Sequence, residues 1–132
     1  MANKSVERFK LLTDDLKKEV HDQAVNELNA QARDLADLMI SVAPHDEGNL
    51  QHSVRIVPGK KDTIVRIVAG GSLTIRRSVS SKPFDYARAD EFGTVKMPAR
   101  PFFFPTYRLR KKKIIAAMKR KIAASIKKRS AE

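Results

Sequence analysis

The sequence predicts an α+β fold: a long N-terminal helix, a small antiparallel sheet, a short helix and a basic C-terminal helix. Three patterns lead to this prediction. Apolar residues recur every three or four positions in the first third, β-branched residues alternate or cluster in the middle, and cations surround an apolar stripe at the end. These are the patterns of amphipathic helices and of strands. We place a single domain at residues 1–132, with a basic helical arm at about 105–130.

The first helix is indicated by an apolar stripe that runs from Phe9 to Val42, with a charged opposite face. It ends at Ala43, because the proline that follows disfavours the helical conformation in the preceding residue. A helix of about 38 residues would be ~57 Å long, too long for one small core to cover. Either part of the stripe packs on another subunit, or the helix breaks near Asn26–Asn29.

A β-hairpin is predicted in the middle of the chain. Val54 and Ile56 alternate with a polar residue, residues 58–62 form a turn, and residues 63–68 are rich in β-branched side chains. Gly70-Gly71 ends the second strand. We prefer this interpretation to a phosphate-binding loop, because no Gly-Lys-Ser/Thr pattern follows the glycines.

The segments on either side of the hairpin are predicted to be mostly irregular. Residues 44–50 are rich in turn-forming side chains, and residues 80–83 form a loop. A weaker third strand covers residues 73–79.

The last third is predicted to form two helices. Tyr86–Phe92 fits a short helix, with Asp85 as its N-cap and Gly93 as its stop. Residues 98–101 are extended, and Pro105 suits the first turn of the final helix. That helix has an apolar side formed by Ile114, Ile115, Met118, Ile122 and Ile126.

Positive charge is concentrated at the C-terminal end. The chain has 27 Lys and Arg against 15 Asp and Glu, yet residues 100–132 contain a single acid, Glu132. This asymmetry indicates a polyanionic partner, either nucleic acid or an acidic protein surface. A membrane surface is disfavoured, because the apolar side lacks Trp, Phe and Leu. The predicted contact residues are Lys111, Lys112, Lys113, Lys119, Arg120, Lys121, Lys127, Lys128 and Arg129.

Catalytic chemistry is not indicated, and we expect no enzyme activity, cofactor or metal. The chain has no cysteine, which excludes disulfides, thiolate nucleophiles and cysteine-based metal sites. His45, Asp46, Glu47 and His52 lack a metal-binding spacing and fit a surface loop. Asp90 and Glu91 diverge on a helix, so a charge–dipole or interface role suits them better than paired catalysis. No run approaches the ~18 apolar residues of a membrane span, and we expect a soluble protein made inside the cell.

Two stretches carry a resemblance to a known family. The first is Ala43–Val54, with the pattern AP…G-L-x-x-S. The second is Tyr86–Thr94, with YA…EFGT, followed by PARPF…P over residues 98–105. In this order, between a long helix and a closing helix, they resemble the tail-completion or head–tail joining (neck) proteins of long-tailed lambdoid bacteriophages. The resemblance covers essentially the whole chain. It departs from the family at Glu47, where a threonine is usual, and in a longer, more basic segment over residues 73–84.

The resemblance implies a mechanical role. Such proteins form a ring, commonly sixfold, that completes the tail end and joins the tail to the DNA-filled head around the DNA channel. The implied partners are further copies, the head connector or adaptor, the tail tube or tail terminator protein, and the passing DNA. The implied location is the virion, after synthesis in the bacterial cytoplasm. A tail terminator is the alternative within this class, and a nucleic-acid-binding module that acts through residues 100–132 is the alternative outside it.

Each motif residue has a predicted structural or interface role. Gly48 and Gly93 supply positive φ angles, Tyr86 and Phe92 pin the short helix on the sheet, and Arg100 pairs with Glu91 within or between subunits. Phe102 and Phe104 anchor the last helix. The full set is Gly48, Leu50, Ser53, Tyr86, Ala87, Glu91, Phe92, Gly93, Thr94, Pro98, Arg100, Pro101, Phe102 and Pro105.

Overall fold

The computed structural model describes residues 3–45, 48–77 and 83–130. Within these ranges the architecture is mixed α+β and mostly helical, as the sequence predicts, with two small antiparallel sheets where the sequence predicts one. Asp46 and Glu47 of the predicted surface loop, and the predicted strand and loop residues 78–82, lie outside the described residues.

The first helix, α1, is one continuous element over Lys4–Val42. Asn3 caps it, since its side-chain oxygen accepts a hydrogen bond from the backbone N–H of Ser5 at 3.0 Å. The helix ends before Ala43-Pro44, as predicted. The alternative that it breaks near Asn26–Asn29 is wrong, because neither asparagine interrupts the helical hydrogen bonding.

A short helix, α2 at Asn49–Ser53, follows and was not predicted from the sequence. Its residues fall partly in the stretch that we interpreted as a turn. Gly48 is the N-cap residue that precedes the helix, and its φ of 81° is the left-handed conformation that the sequence predicts.

The predicted hairpin is confirmed. Strand β1 at Arg55–Pro58 pairs with β2 at Val65–Val68, with Arg55 opposite Val68 and Pro58 opposite Val65. Its turn contacts α1 through a side-chain hydrogen bond, since His21 Nε2 lies 2.7 Å from Asp62 Oδ2.

The third strand belongs to a separate sheet. Strand β3, at Ile75–Arg77, begins two residues later than predicted and pairs with β4 at Pro83–Asp85. The prediction that Pro83 lies in a loop is therefore wrong. Pro is tolerated there because β4 is an edge strand of a two-stranded sheet.

Two helices complete the chain: α3 at Tyr86–Phe92 and α4 at Phe104–Ser130. Both agree with the prediction, and Pro105 lies in the first turn of α4. Residues 98–101 between them form neither helix nor strand. Helix α4 packs along α1.

The buried core lies where the second half of α1 meets α2, the hairpin, α3 and the start of α4. Ile114 of α4 is partly buried and packs against it. The fully buried members are Leu35, Ala36, Met39, Ala43, Leu50, Val54, Ala87 and Phe102.

Candidate functional site

The first motif joins α2 to the hairpin. Leu50 and Ser53 are both buried. The Ser53 hydroxyl donates to the Leu50 carbonyl at 2.6 Å and accepts from the Gly70 N–H at 3.0 Å. Ser53 thus connects α2 with the end of β2, and no local pattern could have revealed this contact across 17 residues.

The start of the second motif holds α3 against β3. The Asp85 carboxylate accepts the Ala87 N–H at 3.0 Å and the Thr74 hydroxyl at 2.7 Å, which confirms its prediction as N-cap. The Arg76 guanidinium lies 5.0 Å from the centre of the Tyr86 ring, and Ala87 is buried. Tyr86 therefore does pin the short helix to a sheet.

Phe92 does not pin the short helix to a sheet, and this part of the prediction is wrong. Its side chain is 65% exposed, and its ring lies 6.0 Å from that of Phe104. The reason is helical geometry: residues six apart point about 120° from each other, so Tyr86 and Phe92 cannot face one surface. Phe102 is the anchor at the core, with 1% exposure, whereas Phe104 is 44% exposed.

The Glu91 carboxylate holds the start of α4. One oxygen, Oε2, accepts the N–H groups of Phe102 and Phe103, and Oε1 accepts that of Phe104, each at 2.9 Å. The first N–H groups of a helix have no partner within it, and a negative charge there also interacts favourably with the helix dipole. Glu91 is thus an N-cap supplied by another helix, a charge–dipole role.

Arg100 pairs with Asp90, the acid next to Glu91 in the sequence. Its Nε and Nη2 atoms donate to Asp90 Oδ1 at 3.1 and 2.9 Å, so the predicted ion pair with Glu91 within the subunit is wrong. Neighbours on a helix diverge by about 100°, which directs Asp90 to the Arg100 segment and Glu91 to α4. Asp90 is only 2% exposed, so the arginine balances a buried charge.

The turn after α3 depends on a glycine. Gly93 has φ 78° and ψ 171°, a combination that essentially only glycine adopts, and a Cβ there would lie 2.9 Å from the Ala99 backbone N. Thr94 and Met97 close the turn through paired backbone hydrogen bonds. The remaining motif residues Thr94, Pro98 and Pro101 are exposed, and Pro105 is half-buried.

An apolar surface remains uncovered at the N-terminal end of α1. Val6, Phe9 and Leu12 lie on the stripe at three-residue spacing and are all exposed, Phe9 by 69%. Further along the same stripe, Ala32, Leu35 and neighbouring residues are buried. The chain therefore covers one half of its stripe only.

An apolar groove of about 390 Å³ opens between α1, β2 and the first turns of α4. Leu28 and Leu35 form its α1 wall, Val65 and Ile67 its strand wall, and Tyr107 belongs to its α4 side. Apolar side chains that point into such a groove lose dispersion contacts until another apolar group fills it.

Helix α4 has a strongly basic outer face. It carries eleven Lys and Arg and no acidic residue. Ala117 and Ser125 are buried on its inner side, and Ile114, Met118 and Ile122 are half-buried. The predicted contact residues Lys111, Lys112, Lys113, Lys119, Arg120, Lys121, Lys127 and Lys128 are exposed, whereas Arg129 is half-buried.

The described residues contain no group of three His, Asp or Glu side chains that could hold a metal ion. His45 and His52 are both exposed, with His52 in α2. Gly70 and Gly71 follow the end of β2 with φ angles of 92° and 126°, consistent with the prediction of a strand end. Across the described ranges, no helix combines the length and hydrophobicity needed to cross a bilayer.

Exposed apolar and basic surfaces on a small helical scaffold are the features of a protein that works through assembly. A comparison with family models is consistent with this class. The model described as "Bacteriophage HK97-gp10, putative tail-component" matches residues 8–93, about two-thirds of the chain. The chain belongs to this family. It is a structural component of the phage tail, is located in the virion and contacts other phage structural proteins.

The family match spans most of α1, both sheets and α3, and ends at Gly93, before α4. No curated protein sequence and no solved structure matches the chain.

Proposed function

We propose that this tail component forms a ring in the phage neck, where it completes the tail end and joins the tail to the DNA-filled head around the DNA channel. The role is mechanical and needs no cofactor. Family membership supports a structural role in the tail, and the surfaces of this chain support a role that depends on contacts between subunits.

One observation carries the proposal: the apolar surface formed by Val6, Phe9 and Leu12 is exposed although it continues a buried stripe. Exposing a large apolar side chain costs about 1.5–3 kcal/mol relative to burying it. A neighbouring subunit that covers this surface recovers that free energy. Contacts between different surfaces of identical subunits close into a ring when the rotation between neighbours permits it.

The basic face of α4 is proposed to dock on an acidic rim of the connector, adaptor or tail tube. Dense positive charge that lined the channel would retain the DNA and oppose its passage, since each neutralised phosphate strengthens binding. We therefore place the exposed lysines on a protein-facing surface. The exposed motif residues Phe92, Thr94, Pro98 and Pro101 are proposed to face a neighbouring protein as well.

Electron microscopy of particles made without this gene tests the proposal. DNA-filled heads beside separate tails of normal length are the expected result. Overlong tails would instead favour a tail terminator that caps the tube and stops its growth. Intact, infectious virions would contradict both neck roles.

The second candidate, a nucleic-acid-binding module, is favoured by one observation: α4 bears eleven cations and no acid. It predicts tight binding to duplex DNA, with a salt slope of about −0.9 for each phosphate contacted. The neck role predicts weak, sequence-independent binding at physiological salt. Fluorescence titrations over a salt series distinguish the two.

A further inference from the structure

The exposed end of α1 and the apolar groove are complementary features of one chain. The first is a convex apolar ridge with Phe9 and Leu12 at its centre, and we call it the ridge. The second is the concave opening between α1, β2 and α4. Each has what the other lacks: the ridge has apolar side chains without a cover, and the groove has apolar walls without a filling group.

A single chain cannot bring the two together. Both lie on α1, which is one uninterrupted helix from Lys4 to Val42. Phe9 and the nearest groove residue, Leu28, are separated by about 29 Å along the helix axis. The ridge can therefore reach only the groove of another molecule.

One pair of opposite charges lies at the edges of the two surfaces, in a ridge segment that also holds the exposed cation Arg8 one turn before Leu12. Asp15 lies one turn beyond Leu12 and is exposed beside the ridge. Lys111 is exposed on α4, one turn from Tyr107 and one turn from Ile114, both of which belong to the groove. In total, α1 carries eight acidic and six basic residues, whereas α4 is basic throughout. Opposite charges at the rim of a contact steer the partners and fix their register.

We propose that the ridge of one copy docks into the groove of the next copy, with Phe9 and Leu12 between α1, β2 and α4 of the neighbour. The contact is heterologous, because each copy uses two different surfaces. An open chain of copies keeps one free ridge at one end and one free groove at the other until a ring closes. This proposal rests on the proposed neck ring and specifies the contact that builds it.

Disulfide trapping tests the contact directly, since the chain has no cysteine of its own. Copies with F9C are mixed with copies with Y107C at roughly 100 µM, which populates even a weak contact. After oxidation, we expect the F9C–Y107C disulfide. Docking of the ridge in the groove would bring these two positions together, and a bridge requires Cα atoms within about 7 Å. The matched control is L11C, since Leu11 is 66% exposed on the same turn but lies off the stripe. We expect it to cross-link with Y107C at least about tenfold less.

A mixing experiment adds an equilibrium measurement. We expect Phe9→Glu and Tyr107→Glu each to weaken self-association by about 30-fold or more, because each places a charge in an apolar contact. Their equimolar mixture should form dimers and no larger species, since one intact ridge and one intact groove remain. Circular dichroism verifies that each variant is folded, and sedimentation velocity measures the association.

Three results would overturn the proposal: mainly F9C–F9C bridges, equal cross-linking by L11C, or no F9C–Y107C disulfide. The first would show that the helix tips pair with each other. These outcomes differ from failure of the neck role. Separated heads and tails on gene deletion, without the disulfide, would retain the neck role and reject this contact. The disulfide together with intact virions would retain the contact and reject the neck role.

Discussion

Replacing Glu91 by alanine tests how α3 and α4 are joined. The substitution removes the acceptor of three consecutive N–H groups, those of Phe102, Phe103 and Phe104. It also removes the negative charge at the start of α4. Nothing else in the described structure accepts a hydrogen bond from the Phe102 N–H, which is buried.

The expected loss of stability is about 3 kcal/mol. Leaving the buried Phe102 N–H without a partner costs about 1–3 kcal/mol. Loss of the favourable charge at the helix N-terminus adds about 0.3–1 kcal/mol. Water can reach the half-buried N–H groups of Phe103 and Phe104, so these add less than their full hydrogen-bond free energies. Small domains have a total stability of about 5–15 kcal/mol, so the expected loss is a large fraction of it.

Urea unfolding followed by circular dichroism measures this loss. A 3 kcal/mol change corresponds to a shift of about 2 M in the urea midpoint. The control is Glu7→Ala, an exposed glutamate in the first turn of α1, for which we expect about 0.5 kcal/mol. Glu91→Gln keeps one acceptor oxygen and should lose about half as much as the alanine variant. A Glu91→Ala loss no larger than that of the control would refute the capping role.

Three further predictions follow from neighbouring features. Gly93→Ala should destabilise the fold by about 2–4 kcal/mol, whereas Gly48→Ala should cost about 1 kcal/mol. The reason is that a Cβ at residue 93 collides with backbone and a Cβ at residue 48 does not. Equal shifts in the melting temperatures of the two variants would contradict this. Arg100→Ala should cost about 2 kcal/mol in urea unfolding because it leaves the buried Asp90 charge uncompensated, and an unchanged midpoint would disprove the pairing. Neutralising the three cations at 119–121 should preserve the melting temperature and reduce phage titre; a wild-type titre would exclude them from docking.

The sequence predicts those elements that have strong local signals. The stripe of α1, the proline after Ala43 and the Asp85–Gly93 boundaries of α3 all depend on neighbouring residues, and all are confirmed. Helix α2 was missed because five residues are too few to show a repeating helical pattern of apolar side chains. Its start at Gly48 was predicted only as a positive φ angle.

The contacts of the candidate site are harder to predict because they join residues distant in sequence. Glu91 reaches N–H groups 11 to 13 residues away, and backbone donors have no sequence signature. The choice between Asp90 and Glu91 as partner of Arg100 depends on the rotation of α3 about its axis. Sequence patterns place both acids on the same short helix but do not fix that rotation.

The cap on α4 has a consequence for how this protein can diversify. Glu91 binds only main-chain N–H groups, which every residue type except proline provides. The hydrogen bonds that hold the start of α4 are therefore insensitive to the side chains there, whereas the course of the helix along α1 depends on inward residues such as Ala117 and Ser125. The exposed residues of the outer face can change, for instance to suit a different partner, without disturbing either contact. Glu91 thus separates the evolution of what the outer face of α4 contacts from the position at which the helix begins.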